Sequence, residues 1–184
     1  MTKLLFTLLI SSFTFMESPK LVKVKLTKTV SASIPEDFTQ MTDDELADKY
    51  PSSRKPVIMF ISPDKQIDFG MNIASQKFPG SDLNVLKDFY KANLYTLFND
   101  IKIITEEIKK INGKEYIVFE FTSIVKPDEK SINPMSAIRK YSYIQYTLHN
   151  DFLVIFNFSC PESMKADWQE TAGEIMESIK FSKS

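Results

Sequence analysis

Two side chains in this 184-residue chain are the natural starting points for nucleophilic chemistry, its one histidine, His149, and its one cysteine, Cys160. A thiol and an imidazole act together only in hydrogen-bond contact. Here they fall on a predicted hairpin, Arg139 to His149 and Phe152 to Ser159, turning at Asn150-Asp151. In that hairpin His149 faces Phe152 and Cys160 faces about Tyr141, which separates them by roughly 25 Å at ~3.3 Å per residue. The dyad is excluded by this register. His149 then reads as a solvated residue beside a turn. Cys160 reads as a small buried apolar group, although its place just before a helix is one that lowers a thiol pKa. A lone cysteine makes no internal disulfide, and a lone histidine builds no multi-histidine metal site.

The carboxylates offer general acid–base chemistry only if two converge. Asp64 and Asp68 flank a predicted hairpin, where they read as solvated charge or a weak surface cation site. Asp43, Asp44 and Glu45 open a helix and are explained by capping and the helix dipole. Glu106 and Glu107 are adjacent on a strand and point to opposite faces, so they are not a pair. None fits a calcium-loop pattern.

Glycine excludes more. Only Gly70, Gly80, Gly113 and Gly173 are present. Phosphate loops and dinucleotide fingerprints need clustered glycines so that backbone amides can approach phosphate, and a serine-hydrolase elbow needs them beside its nucleophile. No cofactor is expected. Tyr141 and Tyr143 share a strand face and Trp168 lies on the last helix; core packing explains each more simply than a ligand platform does. The connection from Lys126 to Ile138 is long for a strand–strand link, and such loops are often functional. Lys126, Asp128, Glu129, Lys130, Ile132 and Pro134 are its candidate partner-contact residues.

Several elements must position these groups. Leu21 to Ile34 alternates as one strand, ended by Pro35. Thr42-Asp43-Asp44-Glu45 is a capping box opening a short helix to Tyr50. Val57 to Ser62 and Gln66 to Lys77 are strands around Pro63-Asp64-Lys65. Leu83, Leu86, Tyr90, Leu94 and Leu97 recur at helical spacing across Asp82 to Asn99, with Phe89 and Phe98 widening the stripe and Ser81 or Asp82 as cap. Ile101 to Ile111 and Lys114 to Val125 form a hairpin about Asn112-Gly113. A last helix starts at Pro161 and runs to Glu177, with Met164, Trp168, Ile175 and Met176 on its apolar side, and Ile179 to Phe181 is a final short strand.

Two strands are apolar on both faces. Ile117, Phe119 and Phe121 oppose Tyr116, Val118 and Ile124; Leu153 and Ile155 oppose Val154 and Phe156. Such strands must be covered on both sides. The expected fold is α+β, an antiparallel sheet with the long helices split between its faces.

Composition agrees with a globular chain: 43% hydrophobic, 26% charged and a formal net charge of -1. Nucleic-acid binding needs a concentrated basic surface, and lysines here are interspersed with acids. The same distribution argues against anionic membrane surfaces. At the start, Lys3 precedes the uncharged run Leu4 to Met16. That run is too short for a bilayer, which takes ~20 residues, and suits the core of an export signal. Residues 1–18 are read as a signal peptide without an Ala-x-Ala site or a lipid-anchor cysteine, and 19–184 as a single domain placed in the periplasm or secreted, with no stable membrane span after signal removal.

The order of elements, with Ser33-Ile34-Pro35-Glu36-Asp37-Phe38, Asn112-Gly113-Lys114-Glu115-Tyr116, and Trp168 with Ile175 to Phe181, resembles the PsbP-like superfamily over nearly the whole mature chain. The resemblance implies an α/β/α sandwich and a non-catalytic binding or assembly role with a protein or small-ligand partner. The expectation is an exported accessory protein of the bacterial cell envelope. Two others stand beside it: an enzyme using carboxylates or Cys160 in a cleft the sequence does not reveal, and a cytosolic protein-binding adaptor whose N-terminus is an ordinary strand.

Overall fold

A computed structural model describes residues 18–50, 55–125 and 137–182. The alternating apolar residues build two antiparallel sheets. The larger has seven strands in the order β3 (Thr39–Gln40), β4 (Ile58–Ile61), β5 (Asp68–Lys77), β9 (Phe152–Pro161), β8 (Ile138–His149), β7 (Lys114–Val125), β6 (Asp100–Ile111). The smaller holds β1 (Leu21–Lys25), β2 (Val30–Pro35) and β10 (Lys180–Phe181), with β2 in the middle.

Strands apolar on both faces receive cover on both, as expected. On one face Tyr116, Val118, Val154, Phe156 and Phe158 pack against Ala172, Ile175 and Met176 of α3 (Lys165–Glu177) and against Ala32 and Ile34 of β2. On the other, Ile117, Phe119, Phe121 and Leu153 pack against Leu86 and Leu94 of α2 (Leu83–Leu97). On that second face α1 (Asp43–Lys49) covers Met59 and Ile61 of β4. The long helices α2 and α3 are therefore split between the faces, and the small sheet shares one face with α3.

Local chemistry explains the element ends. Thr42 accepts from the Glu45 amide while Glu45 accepts from the Thr42 amide, closing the capping box of α1. Asp82 caps α2 by accepting from the Asn84 amide at 2.7 Å. Both two-residue turns of the β6–β7 and β8–β9 hairpins, Asn112-Gly113 and Asn150-Asp151, have positive φ throughout, the geometry that matches strand twist.

Three boundaries differ from expectation. Leu21 to Ile34 is a hairpin, not one strand, because Thr27 Oγ1 accepts from the Thr29 and Val30 amides and reverses the chain. The turn preserves even-numbered parity, so Val22, Val24 and Leu26 continue into Val30, Ala32 and Ile34 without a break in pattern. Pro161 ends β9 in an extended conformation opposite Lys140; a 3-10 turn over Glu162–Met164 follows, and α3 begins only at Lys165. The short strand β3 was not anticipated.

Candidate functional site

The sheet face that carries α1 and α2 is incompletely covered. Its central strand, β9, lies between β5 and β8, yet Ile155 and Asn157 on that strand are only half-buried. The two helices stand apart and leave a groove with the middle of the sheet as floor. Beside α1 it is bounded by Tyr50, Pro56 and Met59 over Gly70, Asn72, Ile155 and Asn157, a cavity of about 210 Å³. It continues past Ile155 to Tyr146 and the α2 residues Tyr90, Leu94 and Leu97, about 350 Å³. It opens at Tyr90 and Asn93 into a third space of about 560 Å³ between α2 and the end of β5. Tyr90 lies stacked on Tyr146 in the wall, centroids 4.5 Å apart; burial raises the phenol pKa of both.

Three irregularities shape this groove. Gly70 admits the Met59 side chain, since a Cβ there would meet Met59 Sδ and lie 2.6 Å from the Ile58 carbonyl. The β5–β9 register breaks between Ile73 and Lys77, a bulge of the kind that re-aims side chains beside a site. Along α2, Val85, Phe89 and Leu97 fall at four- and eight-residue steps and are 66%, 54% and 68% exposed. Phe89 and Leu97, read from periodicity as core residues, thus face outward at the groove's rim. Tyr95 of α2 is also exposed.

The polar candidates are dispersed by the fold. Cys160 is wholly buried opposite Tyr141, and burial pushes its thiol up to about 12. His149 pairs with Phe152 at the far end of the same hairpin, so the expected separation holds. His149 is not the solvated turn residue expected: it is half-buried, with its ring 4.7 Å from that of Phe181. Tyr141 and Tyr143 share a face and are buried. Trp168 stacks on Phe158 at 6.1 Å and contacts Phe38 at 5.8 Å. Lys126, Asp128, Glu129, Lys130, Ile132 and Pro134 lie outside the described residues, as do residues 1–17 of the predicted signal.

Two carboxylates are more buried than their sequence context announced. Asp68, expected as solvated, is 1% exposed and bound by Lys49 of α1 at 2.5 Å. Its burial follows from β5 turning this position inward beneath α1. Glu120, not singled out from the sequence, accepts from Tyr141 Oη at 3.0 Å, Gln169 Nε2 at 2.5 Å and Thr105 Oγ1 at 2.8 Å. The two lie on opposite faces of the large sheet, so they do not converge. Glu106 binds Lys91 at 2.6 Å and Glu107 is on the other face. Asp64 accepts from Ser62 and from the Gln66 amide within its turn. Among the described residues no three His, Cys, Asp or Glu groups are placed to hold a metal, and no helix is long and apolar enough to cross a membrane.

No family model matches the chain, and no curated protein sequence matches it. Solved structures do match. The cyanobacterial PsbP (CyanoP) of Synechocystis superposes with a TM-score of 0.60 at 12% identity, over 94% of this chain and 99% of that one. LpqN of Mycobacterium tuberculosis, involved in cell envelope biogenesis, gives 0.59 at 10% identity over 89% and 91%. The Saccharomyces cerevisiae Ran-binding protein Mog1p gives 0.56 at 12% identity over 89% and 96%. Identities this low establish the fold alone, which is of the PsbP/Mog1 type, as the sequence motifs implied.

Proposed function

We propose that this protein is an exported, non-catalytic accessory protein of the bacterial cell envelope that docks another protein along α2 and the adjoining groove. The observation that carries the docking reading is the row Val85, Phe89 and Leu97, three large apolar side chains more than half exposed beside the opening over the central strand. Contiguous exposed apolar surface on a folded chain marks an interaction site. A helical ridge next to a groove suits a protein segment better than a small molecule, which is normally enclosed on most of its surface. Dispersed, individually satisfied acids and an unactivated thiol support a binding role over catalysis. Among similar folds, Mog1p binds Ran and LpqN belongs to cell envelope biogenesis. The apolar run after Lys3 supports export.

The test is site-specific photo-crosslinking in native cells, with the photoreactive residue placed at Phe89 and, as control, at Glu170 on α3. The expected result is a discrete crosslink to an envelope protein from position 89 only, with the product in the envelope fraction and its mass short by the N-terminal ~15–30 residues. Identical labelling from both positions would remove the docking assignment, and an intact N-terminus in the cytosol would remove export.

A further inference from the structure

A second pocket lies at the junction of the two sheets, on the α3 face and away from the groove. It measures about 550 Å³ and is formed where the Asn112-Gly113 turn, the start of β7, the end of β8 and β10 meet. Its titratable lining groups are Lys114 and Tyr116 from β7 and His149 from β8. No Asp or Glu lines it. The acids nearest in sequence are Glu115, which alternates to the opposite face of β7 from Lys114, Asp151 in the β8–β9 turn, and Glu177, whose carboxylate is bound to Lys109 at 2.5 Å.

Lys114 and His149 are cross-strand neighbours. The β7–β8 pairing ends with Ile117 opposite Tyr146, and just beyond it Lys114 and His149 both line the pocket and both lie against the Phe181 ring. Like charges on neighbouring strands destabilise each other. Lys114 Nζ donates to the Leu148 carbonyl at 3.1 Å and lies 4.8 Å from the centre of the Phe181 ring. That bond leaves two ammonium hydrogens unused, and among the described residues no carboxylate pairs with Lys114 and no hydrogen bond ties either nitrogen of His149. Burial lowers the Lys114 pKa; burial, then Lys114, lowers that of His149.

Among the described residues these two bases stand side by side without an acid, which makes a cationic site lacking its counter-charge. We propose that this pocket binds a small monocarboxylate, whose two oxygens accept from Lys114 and His149 together. At neutral pH the site offers one full positive charge, from Lys114, and one neutral donor, from the imidazole. A monoanion matches that charge; a dianionic phosphate matches only after His149 takes up a proton. Binding relieves the repulsion between the bases, so by linkage the ligand raises the His149 pKa and lower pH tightens binding.

The chain's only histidine is its own probe. The ring proton resonances of His149 in the full chain are titrated between pH 5.5 and 8 with sodium acetate, and with sodium chloride at equal ionic strength. Acetate, and not chloride, is expected to move the resonances saturably and to raise the His149 midpoint. In Lys114→Met the midpoint without acetate is expected to rise, because the neighbouring charge is gone, and acetate affinity to fall by about tenfold, the loss of one charge-assisted hydrogen bond. Lys114→Gln, which keeps a donor for the Leu148 carbonyl, provides the same comparison if the methionine variant does not fold. A response to acetate no larger than to chloride, or one unchanged in both variants, overturns the proposal. Inorganic phosphate binding more tightly than acetate at pH 7.5 overturns the monocarboxylate assignment.

Discussion

Asn112 bonds through its side-chain amide to the backbone carbonyl of Ile179, 2.9 Å away and 67 positions later in the chain. The same amide also reaches the Glu177 carbonyl at 2.9 Å. One turn residue thus fastens the β6–β7 hairpin to the end of α3. Because Asn112 sits at φ 49, its backbone and side-chain roles separate by substitution. Asn112→Gly keeps the left-handed conformation and loses the two bonds, with an expected cost of about 1–2 kcal/mol. Asn112→Ala loses the bonds and adds roughly 1 kcal/mol of backbone strain. Urea unfolding of both variants beside the parent checks the order; a glycine variant as stable as the parent would mean the amide bonds carry no net weight, and equal stabilities of the two variants would mean the left-handed conformation costs alanine nothing.

Lys49 and Asp68 are an unequal pair, since the Asp68 side chain is 2% exposed and that of Lys49 is 32% exposed. Removing the lysine strands a buried carboxylate, whereas neutralising the aspartate frees a cation that reaches water. Lys49→Met is expected to destabilise by about 3 kcal/mol or more and Asp68→Asn by clearly less. A double-mutant cycle by chemical denaturation measures the coupling; equal single costs would contradict the asymmetry.

At the groove floor, Gly70→Ala sets a Cβ against the Ile58 carbonyl as well as Met59. The expected loss is about 1–3 kcal/mol of overpacking. Shortening the neighbour does not remove it: Gly70→Ala in a Met59→Ala background stays destabilising, because the carbonyl oxygen remains. Thermal melts of the three variants decide this.

Two residues three positions apart on α2 have opposite expected costs. Leu94 is 3% exposed and Leu97 is 68% exposed. Leu94→Ala is expected to cost about 2–4 kcal/mol and Leu97→Ser about 0.5 kcal/mol or less. Comparable losses would mean that Leu97 is covered in solution.

Alkaline conditions act on Cys160 first. Its folded pKa is raised by burial from 9.0 to about 12, and that of Tyr116 by burial from 10.0 to about 12. Below pH 9 both states hold the thiol proton and its contribution to stability is complete. As pH rises from 9 toward 12 the unfolded chain releases the proton and the folded one does not, so stability falls by about 1.4 kcal/mol per pH unit for such a group. Urea midpoints between pH 8 and 10 are expected to decline, less steeply in Cys160→Ala. In the native state at pH 7.5 the thiol is expected to resist disulfide reagents until the chain unfolds; fast native labelling would contradict its burial.

The strands were legible where apolar residues occupy both faces. Tyr116 to Phe121 and Leu153 to Phe158 required cover on two sides, and this places α2 and α3 correctly. The resemblance motifs also meet in space, Phe38 on Trp168 and Asn112 on Ile179. The rest was hidden for definable reasons. The turn at Thr27 preserves alternation, so nothing in the period marks it. Periodicity groups Leu97 with Leu94 because helical spacing records the apolar stripe and not how far the sheet extends beneath it. Asp68 and Glu120 look like ordinary surface acids, since their partners Lys49, Tyr141 and Gln169 are distant in sequence. Lys114 and His149 become neighbours only when two hairpins are laid side by side.

The pairing of β5 with β9 also has a temporal meaning. The strands β3 to β5 and the strands β6 to β9 are each built from neighbours in the chain, but the two groups meet only along β5 and β9, whose ends are separated by all of α2 and three long strands. During synthesis the first group therefore emerges with an unclosed β edge, and stays so until the region around Cys160 is made. Late closure of a long loop slows folding and prolongs exposure of that edge, so the β5 edge is the part of the nascent chain longest open to pairing with a strand other than its own.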